Sequence, residues 1–97
     1  MISLATPIFI AAGGPYLARG GSPSPELEIV LPVTSVDKRI AFHVGVEPPE
    51  GGLRSRSFIK PEDIRSISAG RLRERLGRVS AQTLEAVEAR LRVLLDL

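Results

Sequence analysis

The sequence predicts an α+β fold that is mostly β, with strands first and one helix last, the helix covering one face of a sheet or small barrel. Three observations predict it. Residues 28–35, Glu-Ile-Val-Leu-Pro-Val-Thr-Ser, form an apolar run ending in two hydroxyls, the pattern of a buried strand that reaches a sheet rim. Residues 39–46 alternate, with Ile40, Phe42, Val44 and Val46 on one face and Ala41, His43 and Gly45 on the other. Beyond Ser80, Leu84, Val87, Leu91 and Leu94 recur at helical spacing to the end of the chain.

The elements follow in order. Residues 7–12 read as a first strand, with Pro7 tolerated at its first position. Residues 13–25 are rich in Gly and Pro and read as a long loop, in which Tyr16 and Arg19 are the reactive side chains. Residues 26–35 form the second strand, and Val36, Asp37 and Lys38 turn the chain into the alternating strand 39–46. Glu47-Pro48-Pro49-Glu50-Gly51-Gly52 breaks it, and its two carboxylates read as solvated turn residues. A basic bend at Arg54 and Arg56 leads into a short strand up to Ile59; after Pro61, residues 63–68 alternate again. Leu72 and Leu76, four apart, suggest a helical turn that Gly77 stops. Ser80 is an N-cap for the terminal helix, with Glu85 and Glu88 early and Arg90 and Arg92 late, as the helix dipole favours.

Ninety-seven residues suffice for a single domain, 1–97, and 43% hydrophobic content supports a core. Aromatics are 4%, so that core is aliphatic and offers few stacking platforms. Thirteen cations against eleven acids permit a polyanionic partner without demanding one. With no cysteine, disulfides and thiolate metal sites are excluded. No apolar run reaches the roughly 20 residues of a membrane helix, and the apolar opening lacks the basic start of a secretion signal.

The residues narrow the chemistry further. His43 is the only histidine, and no Asp-x-Asp or His-x-x-His spacing occurs, which argues against a metal site. Ser35, His43 and Asp37 lack the Gly-x-Ser-x-Gly elbow of a nucleophilic triad. No glycine-rich phosphate loop opens a helix. What remains is a set of cations, Lys38, Arg39, Arg54 and Arg56, near the hydroxyls of Thr34 and Ser35. Guanidinium groups bind phosphate and stabilise charge developing on it, and a hydroxyl can hold a phosphate oxygen.

The order of several segments carries a resemblance. Pro7-Ile8-Phe9-Ile10, Val30-Leu31-Pro32-Val33-Thr34-Ser35, Phe42-His43-Val44, Gly52-Leu53, Glu62-Asp63-Ile64-Arg65-Ser66-Ile67 and Arg71-Leu72, then Leu76-Gly77-Arg78-Val79-Ser80 and the helix, resemble the MazF/PemK family of toxins over roughly residues 7–97. The resemblance implies a small SH3-like barrel of the MazF/PemK/CcdB-like type, commonly a cytoplasmic homodimer with no cofactor and no membrane association. It implies the toxin of a toxin–antitoxin system: a metal-independent, sequence-specific endoribonuclease that cleaves single-stranded RNA and so inhibits translation and growth. The implied partner is a MazE-like antitoxin whose acidic, disordered segment fills the RNA groove.

Carried over by position, the family's catalytic threonine falls on Thr34, and Ser35 matches the residue after it. Ser35, Lys38, Arg54 and Arg56 are the expected RNA-binding residues. The departures bear on activity. The usual N-terminal segment is expected to be missing, leaving a sheet edge open, and Thr6 stands where the family has its catalytic arginine. Gly13-Gly14-Pro15 replaces a small polar pattern, Arg56 replaces an acid, and Asp63 a glutamine. Arg54 or Arg56 is therefore expected to supply the missing charge. The alternative is a catalytically weak or inactive member that serves as an RNA- or antitoxin-binding module.

Overall fold

The computed structural model describes residues 7–11, 14–18 and 26–97. In chain order its elements are strands β1 (Pro7–Ala11), β2 (Gly14–Ala18), β3 (Leu27–Thr34), β4 (Val44–Val46), β5 (Ser57–Ile59), β6 (Arg65–Ser68) and β7 (Leu72–Arg78), then helix α1 (Ala81–Leu95). The mostly-β, helix-last class is the one the sequence predicts. The sheet is antiparallel in the order β4-β5-β3-β2-β1-β7, with β6 pairing β3. This order is open among the described residues. Its two ends approach each other all the same: β7 lies against the 3-10 turn Glu50–Gly52 that follows β4.

That approach requires glycine. A Cβ on Gly52, whose φ is +71°, would lie 2.0 Å from the Leu76 carbonyl oxygen, and one on Gly77 would lie 2.6 Å from the Gly52 nitrogen. Two backbones touch here with no room for a side chain.

β3 is the centre of the sheet because it is long and apolar on both faces. Leu31 and Val33 join Leu17, Val44, Val46, Leu53, Ile59, Val79 and Val87 in the main core, beneath α1. Val30 joins Tyr16, Ala18 and Ile67 in a second cluster on the opposite face. The alternation of β3 thus divides the molecule into a helix side and a helix-free side.

α1 begins as the sequence indicates. The Ser80 side chain accepts the Thr83 N–H at 3.1 Å. Val87 is 1% exposed, Leu84 and Leu91 are half-buried, and Leu94 is exposed where the helix outruns the sheet. Among the described residues no helix is long and apolar enough to cross a membrane.

Three expectations are corrected. Residues 13–25 are not loop throughout, because Gly14–Ala18 is β2, held between β1 and β3, with Tyr16, Leu17 and Ala18 buried; residues 19–25, with Arg19, lie outside the described residues. The short apolar run outweighs its Gly-Pro neighbours once it has strands on both sides. The expected strand 39–46 shrinks to Val44–Val46. Arg39 has a φ of 53°, its N–H bonds Asp37 Oδ1 at 2.8 Å, and His43 N–H bonds Ile40 O at 3.0 Å, so a turn occupies the segment that alternates. The helical turn around Leu72 and Leu76 is instead β7, preceded by the 3-10 turn Ala69–Arg71. Two register shifts against β1 let Leu72 face the second cluster while Leu76 faces the main core. The strand Pro7–Ala11 itself is interior, since β1 pairs β2 on one side and β7 on the other.

Candidate active site

Thr34 is the last residue of β3 and lies on its helix-free face, in phase with Val30 and Pro32. Its cross-strand neighbour is Phe58, and the next neighbour in that row is Gly45. Gly45 has no side chain to fill the row, and a Cβ there would sit 3.9 Å from the Phe58 ring and 4.0 Å from Arg56 Nη2. Arg56 reaches this face by folding over the ring, with Cζ 5.2 Å from the Phe58 centroid. Its Nε also donates to Glu47 Oε1 at 2.7 Å, across a pair that is 61% and 69% exposed. An exposed pair of this kind is weak, so an incoming phosphate can compete for the guanidinium.

The Thr34 hydroxyl has a defined polarity. Its oxygen accepts the Val36 N–H at 3.1 Å, which leaves the O–H proton to be donated outward. A hydroxyl donor and a guanidinium one strand apart are suited to an anion such as a phosphodiester.

The other expected residues are less gathered. Ser35 is exposed at the turn beside Thr34. Arg54 is exposed on the bend before β5, and among the described residues no ion pair or hydrogen bond ties it to the site. Lys38 is exposed in the segment after β3; the Asp63 carboxyl is held below the usual carboxylate range, chiefly by its hydrogen bond from Lys60 and further by the charges of Lys60, Arg65 and Lys38, while burial opposes this. Thr6, at the expected arginine position, lies outside the described residues.

Several side chains have other work. His43 is buried, and its Nε2 lies 2.6 Å from Glu62 Oε2, so Ser35, His43 and Asp37 form no triad. Glu50 is not a solvated turn residue: it is half-buried and accepts the Ser80 N–H at 3.0 Å and the Thr83 hydroxyl, capping α1. Tyr16 is buried in the second cluster. Among the described residues, no three His, Asp or Glu side chains converge as metal ligands would.

Sequence reasoning missed three residues on this face. Phe58 carries Arg56. Lys60 donates its backbone N–H to Pro32 O at 2.9 Å and its ammonium to Asp63 Oδ2 at 2.9 Å. Arg65 is the cross-strand neighbour of Val30. The period of two puts Pro32 and Val30 in phase with Thr34, and Lys60 in phase with Phe58, but only the pairing sets one row opposite the other.

Comparison with known proteins places this geometry in context. No curated protein matches the chain in sequence. Toxin MazF-mt6 of Mycobacterium tuberculosis superposes with a TM-score of 0.81 at 24% identity, over 94% of this chain and 97% of that one. A MazE–MazF structure from Deinococcus radiodurans gives 0.79 at 24% identity, over 99% and 98%. A mycobacterial endoribonuclease in complex with its cognate antitoxin gives 0.79 at 17% identity, over 98% and 96%. At these identities the likenesses establish the fold. Membership rests on the sequence itself: residues 21–95 match the family model of PemK-like, MazF-like toxins of type II toxin–antitoxin systems, and the chain belongs to that family.

Proposed function

We propose that the chain is an endoribonuclease toxin, a single domain over residues 1–97 that cleaves single-stranded RNA without a metal ion, acts as a cytoplasmic homodimer and is restrained by a MazE-like antitoxin with an acidic disordered segment. One observation carries the reading: the outward-donating Thr34 hydroxyl and the Arg56 guanidinium are separated by one strand row on the helix-free face, in a chain of this toxin family. Similar structures described as an endoribonuclease with its cognate antitoxin and as MazE–MazF support the antitoxin part.

In this reading the RNA supplies its own nucleophile. The 2′-oxygen attacks the adjacent phosphorus as its proton departs. The bond from phosphorus to the 5′-oxygen breaks, and that oxygen takes up a proton, leaving a 2′,3′-cyclic phosphate and a 5′-hydroxyl. Thr34 donates to a non-bridging phosphate oxygen, and Arg56, leaving Glu47, neutralises charge that grows in the transition state. Ser35, Lys38 and Arg54 contact the flanking strand.

The test is cleavage of a long single-stranded RNA in the presence of chelator. Cleavage should persist, and Thr34→Ala should slow it by about 10²–10³-fold, the usual loss for one such donor. Tight RNA binding with no cleavage by the parent protein would favour the non-catalytic module instead.

A further inference from the structure

Thr34 ends one row of the helix-free face, but cations line the rows behind it. Going back along β3, Thr34 stands opposite Phe58, Pro32 opposite Lys60, and Val30 opposite Arg65. Val30 and Thr34 share a face, and cross-strand neighbours share it too, so Arg56 (over Phe58), Lys60 and Arg65 follow one another along a single edge of β3. Two strand residues advance about 6.6 Å, a step close to that between consecutive phosphates of an extended single strand.

One feature breaks the positive line. Asp63 lies in the 3-10 turn between β5 and β6, with Oδ2 2.9 Å from the Lys60 ammonium. Lys60 is only 20% exposed, so its ammonium has little freedom to seek another partner while the carboxylate stays ionised. The charges of Arg65 and Lys38 also favour that ionised state. A carboxylate held by the Lys60 ammonium occupies the kind of place a phosphate takes.

We propose that Lys60 and Arg65 form a second phosphate subsite, one to two strand steps from Thr34, which binds the phosphodiester backbone of single-stranded nucleic acid, and that Asp63 is its built-in competitor, vacating Lys60 when the phosphate arrives. The proposal rests on the reading that RNA is the substrate. The subsite fixes the register of the strand so that one phosphate rests at Thr34, while the competing carboxylate lowers affinity for chains too short to reach both places.

The test measures binding, so that it does not depend on catalysis. The probe is a fluorescent single-stranded oligonucleotide with 2′-deoxy sugars, which cannot be cleaved by the 2′-oxygen route, titrated over a salt series. Lys60→Gln and Arg65→Ala are each expected to weaken binding about threefold to tenfold and to flatten the slope of log affinity against log salt by about 0.7, the loss of one phosphate contact to a single strand. Asp63→Asn is expected to tighten binding about threefold or more. Glu85→Gln, the same charge change on the exposed outer side of α1, should fall well short of that. Thermal unfolding of each variant confirms that it is folded, and the two cation variants stand in for each other should one fail. Binding that ignores Lys60 and Arg65, or an Asp63→Asn effect no larger than that of Glu85→Gln, would overturn the subsite and leave the nuclease reading intact. No nucleic-acid binding by the parent protein would overturn both.

Discussion

At the scale of the residue, the site is set by what each side chain already holds. Thr34 accepts the Val36 N–H with its oxygen, and its own O–H proton is available to a phosphate oxygen. Arg56 is positioned by two weak partners, the Phe58 ring and Glu47. Arg56→Ala should therefore slow RNA cleavage by about 10²-fold, and Arg54→Ala by much less, in a fixed-time assay with chelator. Equal rates for Arg56→Ala and the parent would remove Arg56 from the site. Asp63 offers a pH prediction. Its carboxyl is held below the usual range, first by the Lys60 hydrogen bond, so the fold favours the ionised form. That stability is present above the ordinary carboxylate pKa of about 4 and is lost as pH falls through the lowered value. Urea unfolding of the parent and of Asp63→Asn should differ near neutral pH and converge below about pH 4. A gap that widens on acidification would reverse the assignment. The sequence showed Thr34 through its family pattern, and Arg56 as a departure from that pattern. It did not show Lys60 or Arg65, because their membership in one row depends on strand register, which only pairing fixes.

At the scale of the element, the 3-10 turn Glu50–Gly52 has more influence than its length suggests. Glu50 receives the N–H of Ser80, the N-cap of α1, and the Thr83 hydroxyl, while Gly52 packs its backbone onto β7. Glu50→Ala should cost about 1–3 kcal/mol in unfolding free energy, since it leaves helix donors without a charged acceptor. Gly52→Ala should cost more than about 3 kcal/mol, because a Cβ would meet the Leu76 carbonyl at 2.0 Å on a residue with positive φ. Thermal and urea unfolding measure both. The string Glu-Pro-Pro-Glu-Gly-Gly was legible as a breaker, but its second carboxylate looked solvated, because the helix it caps begins thirty residues later. The terminal helix was legible almost to the residue: its cap is local, and its apolar stripe has one period. β7 was not, because its leucines are spaced for a helix and only the bulged pairing with β1 sends them to opposite faces.

At the scale of the whole molecule, two apolar clusters back onto one sheet. The larger one fastens α1, and the smaller one leaves the opposite face free of helix. Val87→Ala should destabilise the protein by about 2 kcal/mol, since Val87 is nearly fully buried between helix and sheet, while RNA cleavage per folded molecule should stay close to that of the parent. A large loss of specific activity with intact folding would show that α1 shapes the site. Arg90 adds a polar fastening, with Nε donating to Phe42 O at 3.2 Å, so the helix also holds the turn that carries His43. The sequence by itself determined the class of fold, the terminal helix and its cap, the strand that delivers Thr34, and the family; all of these follow from local pattern, read along a few residues at a time. The tertiary structure alone decided that residues 14–18 form a strand, that Glu50 caps a helix, and that Lys60 and Arg65 stand in line behind Thr34. The physical reason is the same in each case: cross-strand register and backbone contact join residues far apart in the chain, and those pairings leave no period in the sequence to be read.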